Sequence, residues 1–463
     1  MTLFAKKFFK DPDVETSLSM LLQKLGEHQK VFSGPKPADV QKTQSYQETI
    51  EAFSKIRAGQ LYYPYLSSGL GQGVFIELGD GSIKYDFIIG IGVHLLGHSH
   101  PKIIEACLKA SLRDTVMQGN LQQDELSYEF SKLLLDTATK NGAKLSHCFL
   151  TSSGVMANEN GLKIAFQKNT PKDRILAFEK CFMGRTLALS QITDKPAFRE
   201  GLPITYKIDY LPFFDASCPK ESIQKTLSVL KKYLDQFPNQ HAVMCFELVQ
   251  GEAGFHPGSH EFFVAIMHEL KKQGIAILVD EIQTFGRLSE PFAFQHFNLD
   301  DYVDIVTVGK ATQVCATLFT ENYRPKPGLL SQTFTGSTTA IASGKVVIEE
   351  LIKNNHFGKN GKNQKMFVFF ESKLKEIEKR HPDLIKGPYG IGGMIAFTPF
   401  DGTKEKTTSF IKKLFDNGVL AFTAGDQPTR TRFLLPLGVI TEKDINAVCE
   451  IVEKTLLECR GHP

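Results

Sequence analysis

The chain has 463 residues, of which 42% are hydrophobic and 23% are charged, enough for one large core or two domains. Its 54 Lys and Arg residues nearly balance its 51 Asp and Glu residues, and the net charge of +3 argues against a nucleic-acid partner, for which a basic stripe is expected. The sequence has no apolar stretch of about eighteen residues, so it predicts no membrane span.

The eight cysteines are scattered, and none forms a Cys-x-x-Cys pair. The sequence therefore indicates no zinc or redox motif, and we expect no metal site. This cysteine usage favours a reducing, cytoplasmic environment. Residues 1–10 carry charges but no apolar run long enough for a secretory signal, so we expect a surface helix or arm there.

Residues 1–75 lack an alternation of strands and helices, and we expect them to pack with a small domain. From about residue 100 to 320, short apolar runs alternate with helical patterns. The predicted strands are 147–150, 174–178, 242–246, one ending at Asp280 and one ending at Lys310; the predicted helices are 155–167, 220–236 and 259–273.

This alternation predicts an α/β fold in which a mainly parallel sheet is flanked by helices. After about residue 345, long helices and two strand-like runs, 393–397 and 432–435, indicate a smaller α+β domain. We therefore predict three parts: an N-terminal segment 1–75, a large domain 76–344 and a small domain 345–463.

Two predicted strands end close to polar side chains, Asp280 and Gln283 after one, Lys310 after the other. In open α/β sheets, ligands bind outside the carboxyl ends of the strands. A carboxylate, an amide and an amine at one rim fit pyridoxal phosphate (PLP), held as a Schiff base on Lys310 with Asp280 under its pyridine nitrogen and Gln283 at its phenolic oxygen. Taken singly, a strand-end lysine is usually a solvated charge, and an aspartate often caps the next segment. For Glu281, next to Asp280, we expect a structural salt bridge.

Two further motifs follow predicted strands, one at 151–155 and one at 182–186. A turn leads into a helix at Gly154 and Val155, whose amides suit a phosphate. Phe182 has the flat ring needed to stack on a cofactor, and Arg185 has the fork that binds a carboxylate. Taken alone, the first motif is more typical of an ordinary capped helix, and the second is more typical of a surface loop.

Three other segments stay open on the residues alone. Residues 247–254 hold two carboxylates and two glycines, as a shaped loop or a plain turn does. Residues 331–338 are rich in hydroxyls, which suit a phosphate or a polar turn. Arg432 begins an apolar run, where it binds a carboxylate or caps the sheet.

Taken together, these motifs resemble those of the class III (ω-type) aminotransferases of PLP fold type I, over about residues 60–440. The matching segments are 97–101, 153–159, 182–186, 247–254, 280–284, 309–310 and 432–434. Residues 309–315 are most similar to the lysine 6-aminotransferase branch. Ile91 instead stands where the 4-aminobutyrate enzymes have Ile and the ornithine enzymes have Tyr.

The resemblance implies a role for each motif. Lys310 carries PLP and moves the proton, and Asp280 pairs with the pyridine nitrogen. The cofactor is also contacted by Gly154, Val155, Phe182, Gln283 and, from the partner subunit of a homodimer, Thr333.

Substrate contacts are implied as well. Arg185 binds one substrate carboxylate and Arg432 the α-carboxylate of glutamate or 2-oxoglutarate. Glu252 pairs with Arg432 while the amine donor is bound.

The implied activity transfers a terminal amino group from lysine, 4-aminobutyrate, ornithine or acetylornithine to 2-oxoglutarate. Two alternatives remain open on the sequence. One is an aminomutase of the same fold, which needs no 2-oxoglutarate. The other is a non-catalytic PLP-binding relative.

Overall fold

The computed structural model describes residues 3–460 apart from 115, 118 and 120, and of residues 116 and 117 it describes the backbone alone. The chain divides into two compact units. Unit 1 comprises Met1–Arg113, Lys365–Pro388 and Ile395–Pro463, and unit 2 comprises Asp114–Gln364 and Tyr389–Met394. Residues 76–113 thus cluster with the two ends of the chain. The three-part division drawn from the sequence stays a prediction.

The first part of unit 1 consists of helices followed by a small sheet. Its elements are α1 (Phe4–Phe8), α2 (Pro12–Gln29), α3 (Val40–Ile56), β1 (Ser67–Gln72), β2 (Phe75–Leu78), β3 (Ile83–Asp86), α4 (Ile89–Gly92) and α5 (Pro101–Ser111). Asp11 and Asp39 begin α2 and α3, because each carboxylate accepts a hydrogen bond from the backbone two residues on.

Unit 2 alternates strands with helices. Its elements are β4 (Val116–Met117), α6 (Glu125–Thr139), β5 (Leu145–Thr151), α7 (Gly154–Lys168), β6 (Arg174–Phe178), α8 (Leu189–Ile192), β7 (Lys207–Leu211), α9 (Pro219–Gln236), β8 (His241–Glu247), β9 (Val249–Gln250), β10 (His256–Pro257), α10 (His260–Lys272), β11 (Ala276–Asp280), α11 (Ala293–His296), β12 (Ile305–Val308), β13 (Cys315–Thr320), β14 (Gly336–Ser337) and α12 (Thr338–Lys353).

The remaining elements begin with a helix that runs from unit 2 into unit 1. They are α13 (Lys362–Arg380), β15 (Ile385–Ile391), β16 (Met394–Pro399), α14 (Lys404–Asp416), β17 (Val419–Leu420), β18 (Phe422–Ala424), β19 (Arg430–Leu434) and α15 (Glu442–Glu458). Strands β15, β16, β19 and β18 form a four-stranded sheet in that order. Strands and helices therefore mix in this region, as the predicted smaller α+β domain requires.

The main sheet of unit 2 has seven strands in the order β5-β13-β12-β11-β8-β6-β7. Strand β13 runs antiparallel to both of its neighbours, and the other pairings are parallel. Helices α6, α7, α9 and α10 pack against its strands. The predicted α/β fold with a mainly parallel sheet flanked by helices is confirmed.

The central strands form the core of this unit. Every residue of β8, β11 and β12 is buried, as expected for parallel strands that are covered on both faces. Helix α7 presents small side chains to them: a Cβ on Gly161 would lie 2.5 Å from Leu278 Cδ1. This close packing fixes the height of α7 over the sheet.

The direction of the strands determines where the polar loops lie. Strands β5, β12, β11, β8 and β6 are mutually parallel, so their carboxyl ends share one edge of the sheet. The loops that follow them carry Gly154, Lys310, Gln283, Glu252 and Phe182. Within the described residues, no helix is both long and apolar enough to cross a membrane.

Candidate active site

A cavity of about 260 Å³ lies in unit 2 at the carboxyl ends of these strands. Its lining brings together seven of the side chains that the sequence predicted for the site. The lining residues are Ser153, Gly154, Val155, Phe182, Met183, Gly184, Glu247, Glu252, Asp280, Ile282, Gln283 and Lys310.

Asp280 is a buried carboxylate with two amide donors. It ends β11, where Oδ1 accepts a hydrogen bond of 2.9 Å from the backbone of Ile282 and Oδ2 accepts one of 2.7 Å from Asn158 Nδ2. Burial raises the pKa of Asp280, while these hydrogen bonds and the positive charge of Lys310 oppose the increase. The carboxylate therefore has a fixed orientation in a site where a cationic ligand would stabilise its charge.

Lys310 is held in an uncommon backbone conformation. Its φ of 52° lies in the left-handed region, which costs a non-glycine residue about 1–3 kcal/mol. The preceding Gly309 is required by its neighbours, because a Cβ there would lie 2.9 Å from Cys315 Sγ and 3.3 Å from Ile282 Cγ2. The chain thus turns sharply after β12 and presents a partly buried lysine at the cavity.

Gln283 has an unsatisfied polar atom in the cavity wall. Its Oε1 is buried and has no hydrogen-bond partner within the described part of the chain. Gly251 makes room for this carboxamide, because a Cβ on Gly251 would lie 2.1 Å from Gln283 Oε1. A buried acceptor without a partner is costly, which favours a ligand with a complementary donor.

The start of α7 provides an anion site. Ser153 caps the helix, its hydroxyl accepting a hydrogen bond from the backbone of Met156, and Gly154 and Val155 occupy the first turn. Amides in a first turn have no acceptor within the helix, and the helix dipole adds positive potential. A phosphate is therefore well placed at this end of the cavity.

The loop that carries Phe182 is held by side chains on two sides. Glu247 Oε2 accepts from the backbone of Phe182 at 2.9 Å. Thr193 Oγ1 accepts from Met183 N at 2.9 Å and from Gly184 N at 3.2 Å, and it donates to Gly184 O at 2.9 Å. These bonds fix the backbone of a loop whose aromatic ring lines the cavity.

Glu247 is a second buried carboxyl group beside Asp280. The two residues pair in register on β8 and β11. Burial raises the pKa of Glu247 to about 8, and the nearby charge of Asp280 adds to the increase. Because Glu247 also accepts from Gly251 N at 3.0 Å, it links the loop of Phe182 to the loop after β8.

Arg185 lies beside the cavity lining and packs on an aromatic ring. Its guanidinium carbon is 3.8 Å from the centroid of the Phe198 ring. Phe198 also makes an edge contact with Phe182, with the ring centroids 6.3 Å apart. Phe198, which the sequence analysis did not single out, therefore joins the exposed arginine to the ring in the cavity wall.

Two predicted site residues lie elsewhere. Thr333 is exposed in the loop before β14 and is not part of the cavity lining. Arg432 is buried in β19 of unit 1, with its guanidinium 5.5 Å from the centroid of Phe422. The contacts predicted for Thr333 and Arg432 with cofactor and substrate stay predictions.

One expectation about this region was wrong. The sequence favoured a salt bridge for Glu281, but its buried carboxylate accepts hydrogen bonds from Ala293 N at 3.0 Å, Phe294 N at 2.8 Å and the hydroxyl of Thr284. It therefore caps α11. Burial raises the pKa of Glu281 to about 7.

The donor set fits PLP. A helix start suits the phosphate, the carboxylate of Asp280 suits the pyridine nitrogen, and the carboxamide of Gln283, which carries both a donor and an acceptor, suits the phenolic oxygen. Lys310 is the amine within the same cavity. A flat aromatic cofactor with one anionic group uses each of these features.

The comparison with protein families gives one long match. The family described as class-III aminotransferases matches residues 63–456. Among curated proteins, an acetylornithine aminotransferase from Methanocaldococcus jannaschii is 28% identical and covers 84% of this chain and 93% of its own length. An acetylornithine aminotransferase from Bacillus anthracis is 30% identical, and the match covers 83% of this chain and 93% of that protein.

Solved structures show the same fold. The lysine aminotransferase from M. tuberculosis superposes with a TM-score of 0.79 at 20% identity, covering 89% of this chain and 99% of that one. The ornithine aminotransferase from Toxoplasma gondii superposes with a TM-score of 0.77 at 21% identity, covering 90% and 96%.

Proposed function

Because the chain belongs to the class-III aminotransferase family, whose cofactor is PLP, we propose that it transfers a terminal amino group from an amino acid to 2-oxoglutarate. The observation that carries the proposal is the convergence of Lys310, Asp280, Gln283 and the start of α7 on one cavity. These groups come from three strand ends, those of β5, β11 and β12, so their meeting reflects the fold rather than the sequence neighbourhood.

When bound, PLP withdraws electrons from the carbon that carries the substrate amine. In our proposal, Lys310 Nζ takes the proton from that carbon of the substrate and delivers it to a carbon of the cofactor. A base that acts here must be uncharged. The carboxylate of Asp280 and the ring of Phe182 hold the cofactor in place.

The remaining roles rest on the resemblance of the sequence motifs. Arg185 and Arg432 would bind substrate carboxylates, and Glu252 would neutralise Arg432 while the donor is bound. The position of Glu252 in the cavity lining supports the role given to Glu252, and the stacking of Arg185 on Phe198, whose ring contacts Phe182, supports the role given to Arg185.

The donor class follows from the same reasoning. Two curated relatives are named for acetylornithine, and two solved structures are named for lysine and ornithine. Each of these amino acids has a terminal amine that is distant from a carboxylate. We propose a donor of this type, namely lysine, 4-aminobutyrate, ornithine or acetylornithine. Residues 309–315 favour lysine, and Ile91 favours 4-aminobutyrate.

We also propose a cytoplasmic homodimer in which Thr333 of each subunit reaches the phosphate held by the partner subunit. Support comes from the exposed position of Thr333 in its loop. The cysteines, all of them free thiols, are in keeping with a reducing compartment.

A panel of the four donors, each with and without 2-oxoglutarate, tests the proposal. We expect glutamate to form with at least one donor and only when the acceptor is present. An isomer of the donor that accumulates over many turnovers without 2-oxoglutarate would favour an aminomutase. If no donor converts the bound cofactor to its amine form, the protein is not an aminotransferase for this class of amine.

A further inference from the structure

Asn158 makes a set of contacts that none of the assigned roles uses. It lies on α7 four residues after Gly154, on the same face of the helix, and only 1% of its surface is exposed. Its Nδ2 donates to Asp280 Oδ2 at 2.7 Å and to Met183 O at 2.9 Å. The helix that offers its first amides to a phosphate therefore also reaches Asp280.

Thr307 fixes which way the Asn158 amide points. Its hydroxyl donates to Asn158 Oδ1 at 2.7 Å, and Thr307 itself is fully buried on β12, in register with Asp280 on β11. Met183 O and the Asp280 carboxylate can only accept, so the amide N–H groups must point to them, and the Thr307 hydroxyl then holds this orientation by donating to Oδ1. The N–H groups must face Asp280.

The charge on Asp280 depends on the hydrogen bond from Asn158, because the other surroundings of the carboxylate include some that oppose its ionisation and some that favour it. Burial opposes the ionisation of Asp280, and the neighbouring Glu247 on β8, Glu281 after β11 and thiols of Cys245 and Cys315 supply no positive charge to offset it. The positive charge of Lys310 favours the ionisation of Asp280, but in the proposed reaction this amine binds the cofactor and moves a proton. Asn158 and the backbone of Ile282 are the hydrogen-bond donors described for the carboxylate.

We propose that Asn158, oriented by Thr307, is a positioning residue that keeps the Asp280 carboxylate ionised and aimed at the pyridine nitrogen of the cofactor. The inference rests on the proposed assignment of Asp280 to that nitrogen. An ionised carboxylate keeps the ring nitrogen protonated, and a protonated ring is the stronger electron sink. Thr307 thereby acts on the cofactor without touching it, through three hydrogen bonds in series: Thr307 to Asn158, Asn158 to Asp280 and, in the proposal, Asp280 to the ring nitrogen.

Two cofactors separate this role from packing. We would measure the dissociation constants of the apo-protein for PLP and for an analogue in which carbon replaces the ring nitrogen. Asn158 also holds the Phe182 loop through Met183 O, but disturbance of that loop weakens both cofactors equally. The ratio of the two constants therefore reports the contact with the ring nitrogen alone.

The variants form matched pairs. Asn158→Asp keeps the shape and replaces a donor by an acceptor, and Asn160→Asp makes the same change at a buried position of the same helix. Thr307→Val removes only the hydroxyl, and Thr307→Ser keeps it. Should Asn158→Asp not fold, the Thr307 pair decides the question.

We expect wild-type protein to prefer PLP, and Asn158→Asp to lose at least about tenfold of that preference because it loses a hydrogen bond to a charged group. Thr307→Val should lose about threefold or more, while Thr307→Ser and Asn160→Asp should stay within about twofold of wild type. A visible-absorbance pH titration of bound PLP should shift in the same two variants.

The outcomes separate two failures. If wild-type protein prefers PLP and the ratio is unchanged in Asn158→Asp and Thr307→Val, the inference about Asn158 is wrong and the assignment of Asp280 stands. If wild-type protein does not distinguish the two cofactors, the assignment of Asp280 to the ring nitrogen fails, and the inference fails with it.

Discussion

Substitution of Glu247 by Gln tests whether this buried carboxyl group is held in its neutral form. Its pKa of about 8 in the folded protein stands well above the ordinary value of 4.5, chiefly because of burial. The folded state therefore binds this proton more tightly than the unfolded state does. The free energy of unfolding should fall as pH rises from 4.5 to 8, since ionisation is opposed only in the folded chain.

The size of the effect follows from the two pKa values. A difference of about 3.5 units corresponds to about 5 kcal/mol across this range. Gln cannot accept both backbone hydrogen bonds, from Phe182 N and Gly251 N, so the variant also carries a penalty of about 1–3 kcal/mol that does not vary with pH. The free energy of unfolding of Glu247→Gln should therefore be lower than that of wild type at pH 5, and the difference should shrink as pH rises.

Denaturant unfolding of the apo-protein at pH 5, 6, 7 and 8 measures this difference. Glu221→Gln, at an exposed position of α9, is the matched control and should follow the wild-type curve. Curves for Glu247→Gln and wild type that run parallel over the whole range would refute the reasoning, because they would mean that Glu247 titrates alike in both states.

Two further predictions concern the cavity and its edge. Gly251→Ala places a Cβ 2.1 Å from Gln283 Oε1, so the carboxamide must move. The affinity for PLP, measured by fluorescence titration, should then fall at least about tenfold. The control is Gly26→Ala, where nothing lies within 4 Å of the added Cβ, and it should leave the affinity unchanged. Equal affinities would show that Gln283 does not contact the cofactor. Phe198→Leu removes the ring under Arg185, a contact worth about 0.5–2 kcal/mol. Because Arg185 is proposed to bind a substrate carboxylate, the KM for 2-oxoglutarate in steady-state assays should rise about two- to thirtyfold, with kcat nearly unchanged. A loss in kcat alone would argue that Phe198 acts on the loop of Phe182 instead.

Local patterns in the sequence were sufficient for much of the sheet. The predicted strand 174–178 coincides with β6, and the predicted helix 155–167 lies within α7. Apolar runs bounded by charges mark parallel strands because both faces are covered. Strand β13 escaped prediction because it is defined by antiparallel pairing with β12 and β5, and β5 lies far away in the sequence.

The site was predictable to the extent that its groups follow strand ends. Asp280, Gln283 and Lys310 met this criterion, and the shared direction of the strands brought them to one cavity. Asn158 did not, because its bond to Asp280 spans 122 positions and depends on how α7 sits over the sheet. Its signal was the four-residue spacing from Gly154. Glu281 was misjudged because a strand-end carboxylate looks the same whether it pairs with a cation or caps a helix.

The central claim is that Lys310 holds the cofactor covalently. Borohydride reduction of the PLP-loaded protein, followed by peptide mass spectrometry, locates that bond. We predict one cofactor adduct, on the peptide that contains Lys310, retained in Lys326→Ala and lost with turnover in Lys310→Ala. An adduct on another lysine, or an unchanged visible absorbance in Lys310→Ala, would contradict the account.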